Sequence, residues 1–124
     1  MEVSLKLTNA ETKLAELIWN NQPIASMEMI KLAQQEFDWK KSTTFTILKH
    51  LIEKGLAKNE NSSVTMLYTR EEFLAKQSCN YVDETFDGSL PMFVAAFTSN
   101  RKLTKQQIAE LKHLIDDYGK KGGD

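Results

Sequence analysis

Cysteine is nearly missing from this chain, and that narrows its chemistry. A single Cys79 in 124 residues leaves no internal disulfide and no cysteine-cluster metal site, and it fits a reducing cytoplasm. The two histidines, His50 and His113, lie too far apart in the sequence to suggest a zinc site, so no metal and no cofactor are expected. No apolar run approaches the ~18 residues that cross a bilayer, and the first residues lack the layout of a signal peptide. A membrane partner is therefore not expected. Excess charge is missing too: the formal net charge is -1, which argues against strong non-specific attraction to a polyanion. Glycine-rich phosphate-binding spacings are also absent.

What is present is an ordinary globular composition, 41% apolar and 27% charged. The length suits one domain, or a small domain with an appended helical module. Thr8-Asn9-Ala10-Glu11 is a capping box opening a first helix to about Asn20, with Ala10, Leu14, Leu17 and Ile18 inward. Asn20 to Pro23 stops it. Ile24-Ala25 can add a very short strand to the sheet of the later hairpin. Ser26 is the expected cap of a second helix to about Phe37, burying Met29, Ile30, Ala33 and Phe37. Trp19 and Trp39 are expected at the core or its edge.

The most informative stretch runs from Trp39 to Thr69. Thr44, Ile47, Leu48, Leu51 and Ile52 form one apolar stripe of 3.6-residue period. The opposite face collects Ser42, Thr46, Lys49 and Glu53, flanked by Thr43 and His50 on one side and Phe45 on the other. Lys54 stands in the last turn, and Gly55 occupies the place of a left-handed terminating residue. A strand from Leu56 to Lys58, a turn cluster over Asn59 to Ser63 and a return strand from Val64 to Thr69 follow directly. A helix followed at once by a β-ribbon is the order in which a winged helix-turn-helix meets DNA, with the helix in the major groove and the ribbon along the backbone.

Residues 1–72 balance nine basic side chains against ten acidic ones, but the distribution is uneven. Five lysines lie between Lys40 and Lys58, where Glu53 is the only acid. The expected DNA-binding set is Lys40, Lys41, Ser42, Thr43, Phe45, Thr46, Lys49, His50 and Lys58. Hydroxyls and free amides at a helix start suit phosphate oxygens, while Thr46, Lys49 and the Phe45 ring suit base edges or thymine methyls.

The rest of the chain reads as helix: Glu71 to about Phe86, a short helix after Ser89 with Leu90-Pro91 in its first turn, running to about Asn100, and a last helix opened by the box Thr104 to Gln107. About 50 residues in three helices bury too little apolar surface to fold alone. Phe86, Leu90, Phe93, Val94, Phe97, Leu103, Ile108, Leu111 and Ile115 all need cover, either from the N-terminal part or from a second copy. A symmetric homodimer is the preferred expectation, since it would present two reading helices to a pseudo-palindromic operator. The expected organisation is a winged helix-turn-helix domain over 1–70 and a three-helix dimerisation module over 71–124, mostly α with one small hairpin.

The chain resembles the penicillinase-repressor family of bacterial transcriptional regulators from about Leu7 to Tyr118. The resemblance rests on Leu7 to Glu11, Ile18-Trp19, Trp39 with Thr43, Leu51 to Leu56, Gly88 to Leu90, Val94 to Phe97 and Ile108 to Lys112. It implies a dimeric repressor that binds double-stranded operator DNA through its N-terminal domain and pairs through its C-terminal helices. Derepression in the family follows proteolysis in the dimerisation region or, in a copper-responsive branch, metal binding to a C-terminal cysteine cluster. That cluster is absent here. The Asn-Phe bond cleaved in the penicillinase repressors aligns with Ala96-Phe97, which keeps the phenylalanine and replaces the asparagine; a regulatory protease is the partner this alignment implies. His50 stands where relatives usually carry arginine, and Phe45 where they often carry a polar or basic residue. Modest operator affinity and a different operator sequence are expected.

The alternative is a winged-helix protein–protein adaptor with little DNA binding, evidenced by the near-neutral charge. Catalysis is not expected. Cys79 has no activating neighbour in the sequence, and His113 sits at the edge of an amphipathic helix.

Overall fold

The structure is a computed structural model that describes residues 5–121. Its elements in order are α1 (Asn9–Asn21), β1 (Ile24–Ala25), α2 (Ser26–Phe37), α3 (Lys41–Glu53), β2 (Ala57–Glu60), β3 (Ser63–Met66), α4 (Arg70–Phe86), α5 (Leu90–Asn100) and α6 (Lys105–Lys120). The chain divides into two compact units, the first ending at Tyr81 and the second beginning at Val82. This division falls inside α4, whereas residue 70, the boundary read from sequence, marks the start of that helix.

In the first unit the expected capping box at Thr8 is complete: Thr8 Oγ1 accepts from Glu11 N at 3.1 Å, and Glu11 Oε1 accepts from Thr8 N at 2.9 Å. Leu14, Leu17 and Ile18 are buried as the helical spacing requires. The second helix starts at its expected cap, one residue early. Ala25 is the N-cap and makes no side-chain cap bond, while Ser26 is the first helical residue and is buried. Ser26 N instead donates to Ser62 O at 2.8 Å, which ties this helix start to the ribbon.

Ile24-Ala25 does join the ribbon. The sheet order is β1-β3-β2, all antiparallel, with Ile24 opposite Val64 and Ala57 opposite Met66. The hairpin turn is tighter than the sequence suggested. Asn61 and Ser62 both take positive φ (52° and 61°), the two-residue turn whose twist matches the strands, so Asn59 and Glu60 remain in β2.

The core gathers Leu14 and Ile18 from α1, Met29 and Ala33 from α2, Leu48 and Leu51 from α3, and Leu56 and Val64 from the ribbon. Each large side chain so buried contributes about 1.5–3 kcal/mol. Phe73 of α4 belongs to this core as well, with its ring 5.7 Å from that of Trp19. Trp19 Nε1 donates to Tyr68 O at 2.8 Å, and Trp39 packs on Phe37 at 4.8 Å, so both indoles are edge anchors. The start of α4 is held by a capping box the sequence also carries, Thr69 with Glu72, and by Arg70 hydrogen-bonded to Glu16 at 2.6 and 2.9 Å. Gln77 Nε2 reaches Leu5 O at 3.1 Å. These contacts place the first part of α4 within the first unit.

The second unit contains the rest of α4, then α5 and α6. Asp87 and Gly88 take positive φ (51° and 76°) and end α4, with Gly88 N donating to Val82 O at 3.1 Å. Ser89 caps α5, and Thr104 with Gln107 forms the expected capping box of α6. Phe86 and Phe93 meet edge to face at 5.6 Å, and Phe93 and Phe97 lie 6.2 Å apart. No residue of α5 or α6 is buried.

Candidate nucleic-acid interface

A left-handed Asp38 (φ 58°) turns the chain between α2 and α3, its N–H bonded to Gln34 O at 3.0 Å. Asp tolerates this region better than most residues, which lets α3 begin three residues later. Lys40, the N-cap of α3, makes no side-chain cap bond, and the first turn holds no acid. The leading amides of α3 are therefore left without side-chain acceptors, in contrast to α1, where Thr8 fills that place. Such a helix start favours an anion.

The buried face of α3 is Thr44, Leu48 and Leu51, with Ile47 half-buried. Ile52, expected on the same stripe, is 36% exposed. At about 100° per residue it lies at the stripe's margin, a quarter-turn from Leu51. Lys41, Ser42, Thr43, Phe45, Thr46, Lys49 and His50 are all exposed, as is Lys40 just before the helix. Phe45 leaves 38% of its surface in solvent, an apolar patch within a polar face. Thr46 Oγ1 donates to Ser42 O at 2.9 Å, so its hydroxyl proton is committed. What Thr46 still offers is an acceptor lone pair and a methyl group, which suit a base amino group or a thymine methyl better than a phosphate.

The cations divide into two groups. Lys54 Nζ bonds to the Glu11 carboxylate and to Lys6 O at 2.7 Å, and Lys58 lies 3.8 Å from Glu60, two residues along the same strand. Lys40, Lys41 and Lys49 have no ion pair among the described residues. The positive surface is thus smaller than five lysines between Lys40 and Lys58 implied, because Lys54 has a tertiary partner in Glu11 and Lys58 a same-strand partner in Glu60. His50 likewise turns Nδ1 to within 3.5 Å of Glu11 Oε2 while its side chain stays 45% exposed.

Glu11, read from sequence as a cap alone, is 3% exposed. Burial pushes its carboxyl up, but hydrogen bonds from Lys54 and Thr8 and the charges of Lys54 and His50 outweigh that, holding it below the ordinary carboxylate range. A group whose pKa is lowered in the folded state stabilises the fold above its unfolded value, about 4.3 for Glu, and loses that contribution as pH falls through the lowered one. Acidification from pH 7 to below 4 should therefore lower the urea midpoint of the wild type more than that of Glu11→Gln. Equal drops in the two proteins would show that Glu11 carries none of the acid sensitivity.

Nothing in the second unit assembles chemistry. His113 pairs with Asp117 one turn along α6 at 3.3 Å, and Cys79, on the part of α4 that belongs to the first unit, is exposed. Among the described residues no group of three or more His, Cys, Asp or Glu side chains could hold a metal ion. No helix among them is long and apolar enough to cross a membrane. The nine residues expected at a dimer interface are all at least partly exposed, Leu90 at 58% and Ile115 at 66%. Leu103, Leu111 and Leu114, with Gln107 and Glu110, line an open groove of about 280 Å³. Ala96 and Phe97 lie within α5, both exposed.

A three-helix unit with a tight turn between α2 and α3, closed by an antiparallel ribbon, is a winged helix-turn-helix domain. The sequence profile of the penicillinase repressor family matches residues 7–117, and the chain belongs to that family of transcriptional repressors. It is similar to the penicillinase repressor of Bacillus licheniformis, at 24% identity over 91% of each chain. It is also similar to the penicillinase repressor of Staphylococcus aureus, at 21% identity over 94% of this chain and 96% of that one. An uncharacterised protein of Latilactobacillus sakei is 25% identical over 89% of this chain and 78% of its own length.

Proposed function

We propose that this chain is a homodimeric repressor that reads a pseudo-palindromic operator with α3 and pairs through α5 and α6. The observation that carries the proposal is the outward face of α3: a bare helix start followed by Ser42, Thr43, Phe45, Thr46 and Lys49, all in solvent, with Leu48 and Leu51 locking the other face into the core. Lys40, Lys41 and the first amides meet phosphates. Lys49, Thr46 and Phe45 meet bases. Lys58 and His50 act at the margins, each already facing a carboxylate. The uncovered apolar side chains of α5 and α6 support pairing of two copies.

An adaptor function is the second reading, favoured by the compensation of Lys54 and Lys58. A gel shift on the chain's own upstream DNA at two salt concentrations separates the two. Operator binding should weaken with salt by about one unit of log–log slope per phosphate contact, whereas an adaptor gives no shift. Lys49→Ala and Thr46→Ala should each lose about 1–3 kcal/mol of operator affinity with fold and dimer intact. Retained affinity in both variants would remove α3 from the interface. The relief of repression is proposed to act on the dimerisation helices. A regulatory protease cutting Ala96-Phe97 would first have to unwind α5, because that bond lies within a hydrogen-bonded helix.

A further inference from the structure

Glu11 is the one charged side chain buried among the described residues. Burying a carboxylate is costly, and a helix cap does not require it, since capping boxes work at the surface. Groups from separate segments converge on it. Thr8 N–H donates from the start of α1, Lys54 donates from the end of α3, and His50 Nδ1 approaches from the last turn of α3. Lys54 is the C-cap of α3, and its own N–H bonds to His50 O at 3.0 Å. The same ammonium also reaches Lys6 O. One carboxylate therefore holds the beginning of the first helix and the end of the reading helix together.

We propose that Glu11 is a positioning residue for DNA recognition: through Lys54 and His50 it sets the angle at which α3 presents its exposed face. The inference rests on the operator-binding reading above. Its sign is what makes it sharp. Removing a negative charge from a DNA-binding domain strengthens binding if only electrostatics matters. Loss of a positioning anchor weakens it. Lys54 gives a second handle, because a lysine that touches phosphate contributes to the salt slope and a lysine that anchors to Glu11 does not.

The test uses the full-length chain and a duplex enriched by the wild type from a random-sequence pool. Affinities are measured at a temperature where circular dichroism shows every variant fully folded. Glu11→Gln keeps an acceptor for the Thr8 amide and removes the charge. It should bind about tenfold more weakly, the size of coupling found within one ion-pair network, with an unchanged salt slope. Lys54→Met should do the same, Lys54→Arg should retain most of the affinity, and the Glu11→Gln/Lys54→Met double variant should be no worse than either single one. Should Glu11→Gln fail to fold, the Lys54 pair carries the test alone. Unchanged or stronger binding by Glu11→Gln, or a salt slope reduced by about one in Lys54→Met, would overturn the proposal while leaving operator binding in place. Failure of the wild type to enrich any duplex would overturn both readings together.

Discussion

On the proposed pairing through α5 and α6, Phe97→Asp is expected to turn the protein from a dimer into a monomer in sedimentation at micromolar concentration. Phe97 lies on α5, 44% exposed, with Phe93 on one side and the Arg101 guanidinium 5.8 Å from its ring on the other. In a twofold interface every substitution counts twice. Losing two buried phenylalanines costs about 3–6 kcal/mol, and desolvating two new carboxylates adds to it. The dimer constant should weaken by at least ~10³. Operator affinity should fall with it, because a single half-site binds poorly. The tryptophans offer an internal control: Trp19 and Trp39 both lie in the first unit, so their fluorescence should not change. A Phe97→Asp protein that still sediments as a dimer would move the interface away from α5.

Leu51→Ala should have the largest effect on stability. Leu51 is fully buried at the junction of α3 with the rest of the core, and its backbone carbonyl accepts from Leu56 N at 3.0 Å where the helix hands over to the ribbon. Removing three carbons there should cost about 2–5 kcal/mol, which for a unit of this size lowers its melting temperature by roughly 10–30 °C. Thermal unfolding followed by tryptophan fluorescence reads this unit alone. Ile52→Ala, one residue further on and 36% exposed, should shift the same transition far less. Comparable shifts for the two would mean that α3 is rotated from the position described here.

Much of the fold was legible in the residues because local rules and tertiary packing agree. The boxes at Thr8 and Thr104, the terminating Gly55, the proline in the first turn of α5 and the stripe through Leu48 and Leu51 are local signals with local causes. The expectations miss where two signals compete, by one residue at Ser26 and by up to three at the ends of the ribbon, where the return strand stops at Met66 rather than Thr69. Ser26 looks like a cap, but the backbone bond to Ser62 buries it as a helical residue. The polar run from Asn59 to Ser63 looks like one long turn, yet only Asn61 and Ser62 adopt positive φ. The Thr69–Glu72 box is a local signal too, and it fixes the start of α4 and with it Phe73 in the first core.

The candidate interface was legible as a face but not as a charge distribution. Which side of α3 points outward follows from periodicity. Which of its lysines remain uncompensated depends on partners such as Glu11, forty-three residues from Lys54, and no local pattern shows such a pair. The committed hydroxyl of Thr46 is likewise a matter of rotamer rather than of residue type.

The two-residue tip of the ribbon has a consequence for how this protein can diversify. Because Asn61 and Ser62 both sit where most side chains clash with their own backbone, neither place readily accepts arginine or lysine. New cations can be gained there only by inserting residues and rebuilding the hairpin. Changes of target should therefore accumulate first on the helix and the ribbon's strands, with the tip itself following only through changes of length.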